Sequence, residues 1–380
     1  MIRPLAAAFV ASLLLAGALR LGAARNPPPP AASQEPAPAA VPDTHTLLFV
    51  GDVMLSRTVG RKLVAEGDWD WPFRQIGPRL HAADFVFGNL ECPVSDVGRN
   101  LHHLYSFRAD PRALDGLVAA GFKAVSVANN HMDDWDRPAL LDTVHRLRGK
   151  GIVPVGAGAD DAEARQAQIV DVGGLRLALL ARVGVDPEDA AAGPGRAGVA
   201  WLDPDELAAD VRAARLTADL VIVSLHWGTE YASRPSADQV KVAHALVEAG
   251  ADLVVGAHPH VIEPLERYQG GWIAYSLGNF VFDQHDAPTH HGLMLQVAVK
   301  GKAVADVTPV AVVIDHNFQP AVDPKPAAGS LPVMWPAPPR THARSGAAAS
   351  ARTRTAAPAS ARTADTQARS DAGGPVPRAH

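Results

Sequence analysis

Val254-Val255-Gly256-Ala257-His258-Pro259-His260 is a short apolar run that breaks through a glycine into two histidines one residue apart. A strand that ends in a tight turn aims both imidazoles at one point beyond the edge of a sheet. Imidazole is the commonest protein ligand for transition metals. A lone His-x-His is also a frequent accident of surface loops. Working outward, the same arrangement recurs: Gly51-Asp52, Asn89-Leu90-Glu91, Asn129-Asn130-His131 and His226-Trp227-Gly228 each follow an apolar run.

Those runs set the fold class. Short strands are expected at Thr46–Val50, Asp84–Phe87, Ala124–Ala128, Gly151–Val155, Leu220–Leu225, Asp252–Val255 and Trp272–Ser276. Amphipathic helices are expected at Arg57–Ala65, Pro111–Ala120, Arg137–Lys150, Pro204–Leu216 and Ala237–Ala249. Asp203 with Glu206 three residues on reads as an N-cap, and Pro204 suits the first helical turn. Gly173-Gly174 and Lys300-Gly301-Lys302 read as hairpin turns. The pattern is α/β, with sheets that mix parallel and antiparallel strands.

In such sheets, ligands collect where strands end at their carboxyl termini. Asp52, Glu91, Asn130, His131, His226, His258 and His260 all fall there. Two carboxylates, an amide and several imidazoles suit one or two divalent metal ions. The mixed nitrogen and oxygen donors fit zinc, manganese or iron better than magnesium or calcium. Each residue also has a structural explanation. Asp52 suits a turn or a helix cap, the asparagines satisfy loop backbone, and His226 packs beside Trp227. So many such placements together are harder to explain that way.

The 380 residues are 47% hydrophobic and carry a formal charge of -5. No basic stripe interleaved with aromatics points to nucleic acid. The single cysteine, Cys92, excludes an internal disulfide framework and a Cys-rich zinc site. It reads as a buried small hydrophobe or a reactive thiol. Residues 1–24 read as a signal peptide or an uncleaved membrane anchor, because an uncharged apolar run from Leu5 to Leu19 follows Arg3. Residues 25–43 are a Pro/Ala-rich spacer. Residues 44–318 form the folded domain, and 319–380 are an Ala/Pro/Ser/Thr/Arg-rich tail expected to be disordered. The chain is therefore expected to be exported, to a periplasmic or other extracytoplasmic location, free or membrane-anchored.

Several motifs occur in order: Gly51-Asp52-Val53-Met54-Leu55, Asn89-Leu90-Glu91, Ser106-Phe107-Arg108 and Ala128-Asn129-Asn130-His131. His226-Trp227-Gly228-Thr229-Glu230-Tyr231, His258-Pro259-His260-Val261 and Tyr275 through Asp283 follow. From about Leu47 to Val299 the chain resembles the CapA family of bacterial capsule and poly-gamma-glutamate biosynthesis proteins. That family is itself similar to calcineurin-like metallophosphoesterases, which implies two mixed β-sheets sandwiched between helices.

The resemblance also implies roles. Asp52 and His260 would serve a first metal, Glu91 would bridge, and Asn130, His226 and His258 would serve a second, with His131 as the acid. Met54 stands where the metallophosphoesterase pattern has a histidine, and Glu91 where it has an aspartate. Arg108 and Glu230 are expected at the pocket edge, the first to bind a carboxylate or phosphate and the second to orient a histidine. Asn279 is expected close to the site, Asp283 as a supporting or turn residue, and Asp134 as a structural cap. The implied partners are an anionic capsule-type polymer or its membrane synthase complex. Three functions stay open: a component of polymer synthesis or export, a metal-dependent hydrolase of envelope phosphoesters or amides, and a metal-free polymer-binding scaffold.

Overall fold

A computed structural model describes residues 44–185, 188–326 and 334–335. The expected signal segment, the spacer and most of the tail lie outside the described residues. In chain order come β1 (Thr44–Val53), α1 (Arg57–Glu66), α2 (Gly77–His81), β2 (Phe85–Leu90), α3 (Ala113–Ala119), β3 (Ala124–Ser126), α4 (Asp136–Gly149) and β4 (Val153–Val155). Next are β5 (Ala157–Gly158), α5 (Asp161–Arg165), β6 (Gln168–Val172), β7 (Leu175–Val183), β8 (Gly198–Val199) and α6 (Pro204–Arg215). Then follow β9 (Leu220–His226), α7 (Ala237–Ala249), β10 (Leu253–Ala257), β11 (Leu265–Tyr268), β12 (Gly271–Ala274) and β13 (Asn279–Val281). The last strands are β14 (His291–Lys300), β15 (Ala303–Ile314), β16 (Pro320–Val322) and β17 (Met334–Trp335).

One sheet runs β16-β15-β14-β1-β2-β3-β4, with β13 also paired to β1. The other runs β17-β11-β12-β10-β9-β7-β6. Both mix parallel and antiparallel pairs. The central strands are covered on both faces, which explains why Leu47 to Val50 and Leu220 to Val223 read as unbroken apolar runs rather than alternations. Leu47 and Phe49 meet Leu220, Ile222 and Leu253 around a narrow void between the sheets. On the far face of the second sheet, Ala178, Leu180, Val221, Val223 and Val254 pack with Leu207 and Val211 of α6 and Leu246 of α7. Helices α1, α3 and α4 add Val59, Leu63, Leu114, Leu117, Leu140 and Leu147 to the core of the first sheet. Two mixed sheets thus lie between helical layers, as expected.

Local chemistry fixes the element ends. Asp203 accepts hydrogen bonds from the backbone N–H groups of Asp205 and Glu206 to start α6. Ser236 and Gln239 form a reciprocal capping box at α7. The two sequence-expected hairpins form between β6 and β7 and between β14 and β15. Strand pairing continues past Phe318, the expected end of the domain. Pro320–Val322 pairs with β15, and Met334–Trp335 adds a parallel strand beside β11. An edge strand is held by backbone hydrogen bonds, so its composition need not be apolar, and proline is tolerated there. Cys92 is buried, and its Sγ accepts from the Leu55 N–H at 3.4 Å.

The site depends on two close backbone approaches. A Cβ on Gly51 would stand 1.8 Å from the Gly278 carbonyl oxygen, and one on Gly256 would stand 1.7 Å from that of Tyr275. These glycines let β1 and β10 end against the Tyr275–Asn279 segment. In register, Asp52 pairs with Asn89 and Asn279, and Ala257 with His226. Because the Tyr275 carbonyl also accepts the Trp227 indole N–H, and the Leu277 N–H ties the segment to the Gly256 carbonyl, Gly256→Ala should cost about 2 kcal/mol or more, read as a fall of several degrees in thermal unfolding midpoint. A wild-type midpoint would contradict this backbone approach.

Candidate metal centre

Asp52 ends β1 and Glu91 follows β2 directly; both are fully buried. Between them sits the Asn89 amide. Its Nδ2 lies 2.8 Å from Asp52 Oδ1, 3.2 Å from Glu91 Oε2 and 3.2 Å from His226 Nδ1. Asn129 donates to Asn89 Oδ1 and to the Leu90 carbonyl, which fixes the amide's orientation. Asn89 was part of a recognised motif, but its bridging role was not foreseen. The signal was available: a small amide alternating with Glu91 on the same strand end.

His226 ends β9, and its Nε2 lies 2.9 Å from Asn130 Oδ1. His258 and His260 occupy the turn after β10 with φ of 98° and 59°. That left-handed backbone is unfavourable for histidine and folds both rings back over the strand ends. The His258 and His226 ring centroids are 4.8 Å apart. His260 Nδ1 lies 3.3 Å from Asp52 Oδ2 and 3.0 Å from Asn279 Oδ1, while its Nε2 lies 3.6 Å from Glu91 Oε1. Asn279 is itself held through Nδ2 by Gln284 and the Thr289 carbonyl.

The charges are interlocked. Burial would raise the Asp52 pKa, yet its hydrogen bond to His260 and the neighbouring imidazoles hold it well below the usual carboxylate range. Glu91 is pushed well above that range, first by burial and then by the Asp52 charge. Burial and the neighbouring His258 push His226 well below the ordinary imidazole value. Burial and His260 bring His258 down to about 4. The His226 and His258 imidazoles are therefore neutral near pH 7, the state in which they bind metals.

The donor set fits a divalent cation. Asp52, Glu91 and His226 present ligand atoms within 4.8 Å of one another. Glu91 Oε1 and His258 Nδ1 are buried without a hydrogen-bond partner. Orphaned buried acceptors are costly unless something positive occupies the space between them.

His131 is half-buried beside this group. Its Nδ1 lies 2.9 Å from Asp134 Oδ2, and its ring stacks on Phe107 at 3.9 Å. Asp134 does more than cap. It also accepts from the Phe107 N–H at 2.7 Å and contacts His103 Nδ1 at 3.0 Å, so it orients His131 and ties down the loop before Phe107. The Arg108 guanidinium lies over the Trp135 ring, 3.4 Å from its centroid, rather than facing the carboxylates. Glu230 is exposed and bonds no histidine among the described residues; Asn279 and Asp134 do that work. Asp283 is buried, accepting from the Thr58 N–H at 2.9 Å. Met54 is buried too, its Sδ accepting from the Ser56 N–H at 3.1 Å.

A buried carboxylate–imidazole centre at the carboxyl ends of mixed-sheet strands defines the class. Residues 46–284 match the family described as bacterial capsule synthesis protein PGA_cap, and this chain belongs to that family. It is 34% identical to the capsule biosynthesis protein CapA of Bacillus anthracis over 75% of this chain and 70% of that protein. It is 33% identical to the PGA biosynthesis protein CapA of Bacillus subtilis over 73% and 74%. A probable polyglutamine synthesis accessory protein of Mycobacterium tuberculosis is 32% identical over 70% and 82%. Among solved structures, the calcineurin-like phosphoesterase YfkN of Bacillus subtilis gives a TM-score of 0.44 at 14% identity, over 73% of this chain and 92% of that one. A likeness at that level says nothing of activity.

The depressed imidazoles have a consequence for stability. The unfolded chain takes up a proton at His258 below about 6.5, whereas the folded chain refuses it until about 4. The unfolded state binds more protons in that window, so His258 withdraws stability as pH falls through it. In chelator, His258→Asn, which tolerates the left-handed backbone, should lose less stability than wild type between those two values. Parallel denaturant midpoints for the two proteins across the window would contradict this.

Proposed function

We propose that this chain is an exported protein of capsule or poly-gamma-glutamate synthesis or export that works through a buried divalent metal centre. The observation that carries the reading is the set Asp52, Glu91 and His226, with two orphaned acceptors aimed into it, in a chain of the capsule synthesis family. Export is supported by the apolar run from Leu5 to Leu19 after Arg3. Among the described residues, no helix is long and apolar enough to cross a membrane.

Asp52, Glu91, His226 and His258 would hold the ion, with Asn130 beside His226. One ion is favoured over two. Met54 offers only a thioether already engaged by a backbone N–H, and His260 Nδ1 is shared between Asp52 and Asn279. A divalent ion there supplies Lewis acidity. The chain's own residues do the rest. Asn89 spaces the carboxylates, Asn279 fixes the His260 ring, and the rings of Phe107 and Phe282 shield the imidazoles from water. His131, oriented by Asp134, holds a proton at Nε2 or accepts one there, depending on the substrate.

That last feature favours hydrolysis of an envelope phosphoester or amide as the second reading. His131 is held by the buried Asp134 at 2.9 Å and stacked on Phe107 beside the carboxylate–imidazole group, which is where a proton donor to a leaving group would stand. A metal-free scaffold for an anionic polymer is the third.

Metal analysis separates them. Protein purified without chelator should carry about one equivalent of zinc, manganese or iron, and Asp52→Asn should lose most of it. Less than about a tenth of an equivalent in wild type would leave the scaffold reading. If the centre is hydrolytic, His131→Ala should keep its metal yet lose about a hundredfold or more in turnover of an aryl phosphodiester or a glutamyl amide.

A further inference from the structure

Backbone strain gathers around this centre. Besides His258 and His260, Arg57 and Tyr231 have left-handed φ, at 51° and 63°. No glycine is used at either place, though both backbones would favour one. Strain of this kind persists where surrounding structure over-determines a side chain's position, and it concentrates at ligand sites.

The two side chains lie at the solvent-exposed edge of the centre, on either side of the Asp283-Gln284 segment. The Arg57 guanidinium lies 5.3 Å over the Phe107 ring whose stacking partner is His131. The Tyr231 ring lies 6.3 Å from that of His260, and the Tyr231 N–H is bonded to the Pro259 carbonyl in the histidine turn. Both contact the same short segment: Arg57 reaches Asp283, and Tyr231 accepts from Gln284, which in turn holds Asn279 against His260. Each is open to solvent, Arg57 by 34% and Tyr231 by 51%.

Arg57 is also chemically unspent. Its Nη2 lies 3.0 Å from Asp283 Oδ1, yet that oxygen has no hydrogen-bond partner, so the contact lacks bonding alignment. Nothing among the described residues takes up the other guanidinium N–H groups. Arg108, the arginine that sequence reasoning put in this place, is instead spread over Trp135.

We propose that Arg57 and Tyr231 form a substrate subsite at the mouth of the centre, in which Arg57 grips a carboxylate of an acidic polymer chain and the Tyr231 ring packs its aliphatic stem. A guanidinium presents paired N–H donors that match a carboxylate's two oxygens. A half-exposed phenol ring covers methylenes at low entropic cost. The Asp283 carboxylate keeps the guanidinium in place when the subsite is empty. This inference rests on the polymer reading of the centre, and goes beyond it by naming the residues that meet the polymer and the group they take.

The test is calorimetric binding to the full-length protein, with metal content measured on every sample. The probes are a short γ-linked glutamate oligomer, its counterpart with the free carboxylates amidated, and inorganic phosphate. Wild type should bind the oligomer, and should bind the amidated chain and phosphate much more weakly. Arg57→Gly, which relieves the left-handed backbone while removing the guanidinium, should weaken the oligomer roughly tenfold to a hundredfold with metal content unchanged. Arg57→Lys should recover part of that loss, and Tyr231→Asn should weaken binding less than Arg57→Gly. Equal oligomer affinity in Arg57→Gly and wild type would overturn the proposal and leave the metal centre standing. So would equal affinity for the acid and amidated chains, while phosphate binding as tightly as the oligomer would replace the carboxylate with a phosphate. Wild type that holds neither metal nor oligomer would instead overturn the reading of the centre itself.

Discussion

Two carboxylates, Asp52 and Glu91, sit together with no exposed surface and no lysine or arginine between them. Water cannot screen them, and like charges so placed cannot both ionise without a counter-charge. Much of the surrounding structure answers that constraint. Asn89 splits its amide between them, Asn129 fixes Asn89, and the His258 N–H reaches Asp52 Oδ2 at 3.3 Å. What backbone and amides leave unmet, Glu91 Oε1 above all, is what a cation would meet. A cation would also oppose the upward push that burial and Asp52 exert on the Glu91 carboxyl.

How much of this could be read from the chain follows from the physics of each signal. Strands covered on both faces write themselves as apolar runs, so β1, β9 and β10 and the polar residues at their ends were legible. Helix α7 was legible to the residue, because Ser236, Gln239 and Gly250 mark its two ends. Strands β16 and β17 were not, since edge pairing depends on backbone hydrogen bonds and leaves little trace in composition. Among site residues, the ring nitrogens and carboxylates announced themselves by type and position. Their supports did not. Asp134 looked like a cap until its two oxygens were seen to serve Phe107, His103 and His131 together. Arg108 and Arg57 are equally charged on paper. Both lie over aromatic rings, Arg108 on Trp135 and Arg57 more loosely on Phe107, and only the fold shows that Arg57 alone of the two also meets the buried Asp283.

The left-handed backbone at His258 and His260 shows how one local choice serves the whole centre. An extended continuation of β10 would have kept both rings on one face but carried them along the strand, past the strand ends. Turning the chain over at both residues instead sets the His260 ring against Asp52 and Glu91 and the His258 ring beside His226. Pro259 between them removes one N–H that would otherwise need a partner in this crowded corner. Its carbonyl takes the Tyr231 N–H, which couples the histidine turn to the opposite wall.

The pairing of β1 with β13 and β14 has a temporal side. Asp52 lies near the beginning of the folded part, yet the His258 N–H that steadies it is 206 positions further along the chain. During synthesis the early strands have no complete sheet to join, and the centre cannot close until the turn at His258 and His260 and the strand that carries Asn279 have been made. Such distant pairing makes folding slow relative to helical proteins of similar size. It also means that a partly made chain offers Asp52 and Glu91 to solvent as ordinary, separate carboxylates. The tight cluster, with its altered acidities, comes into being only with the finished fold.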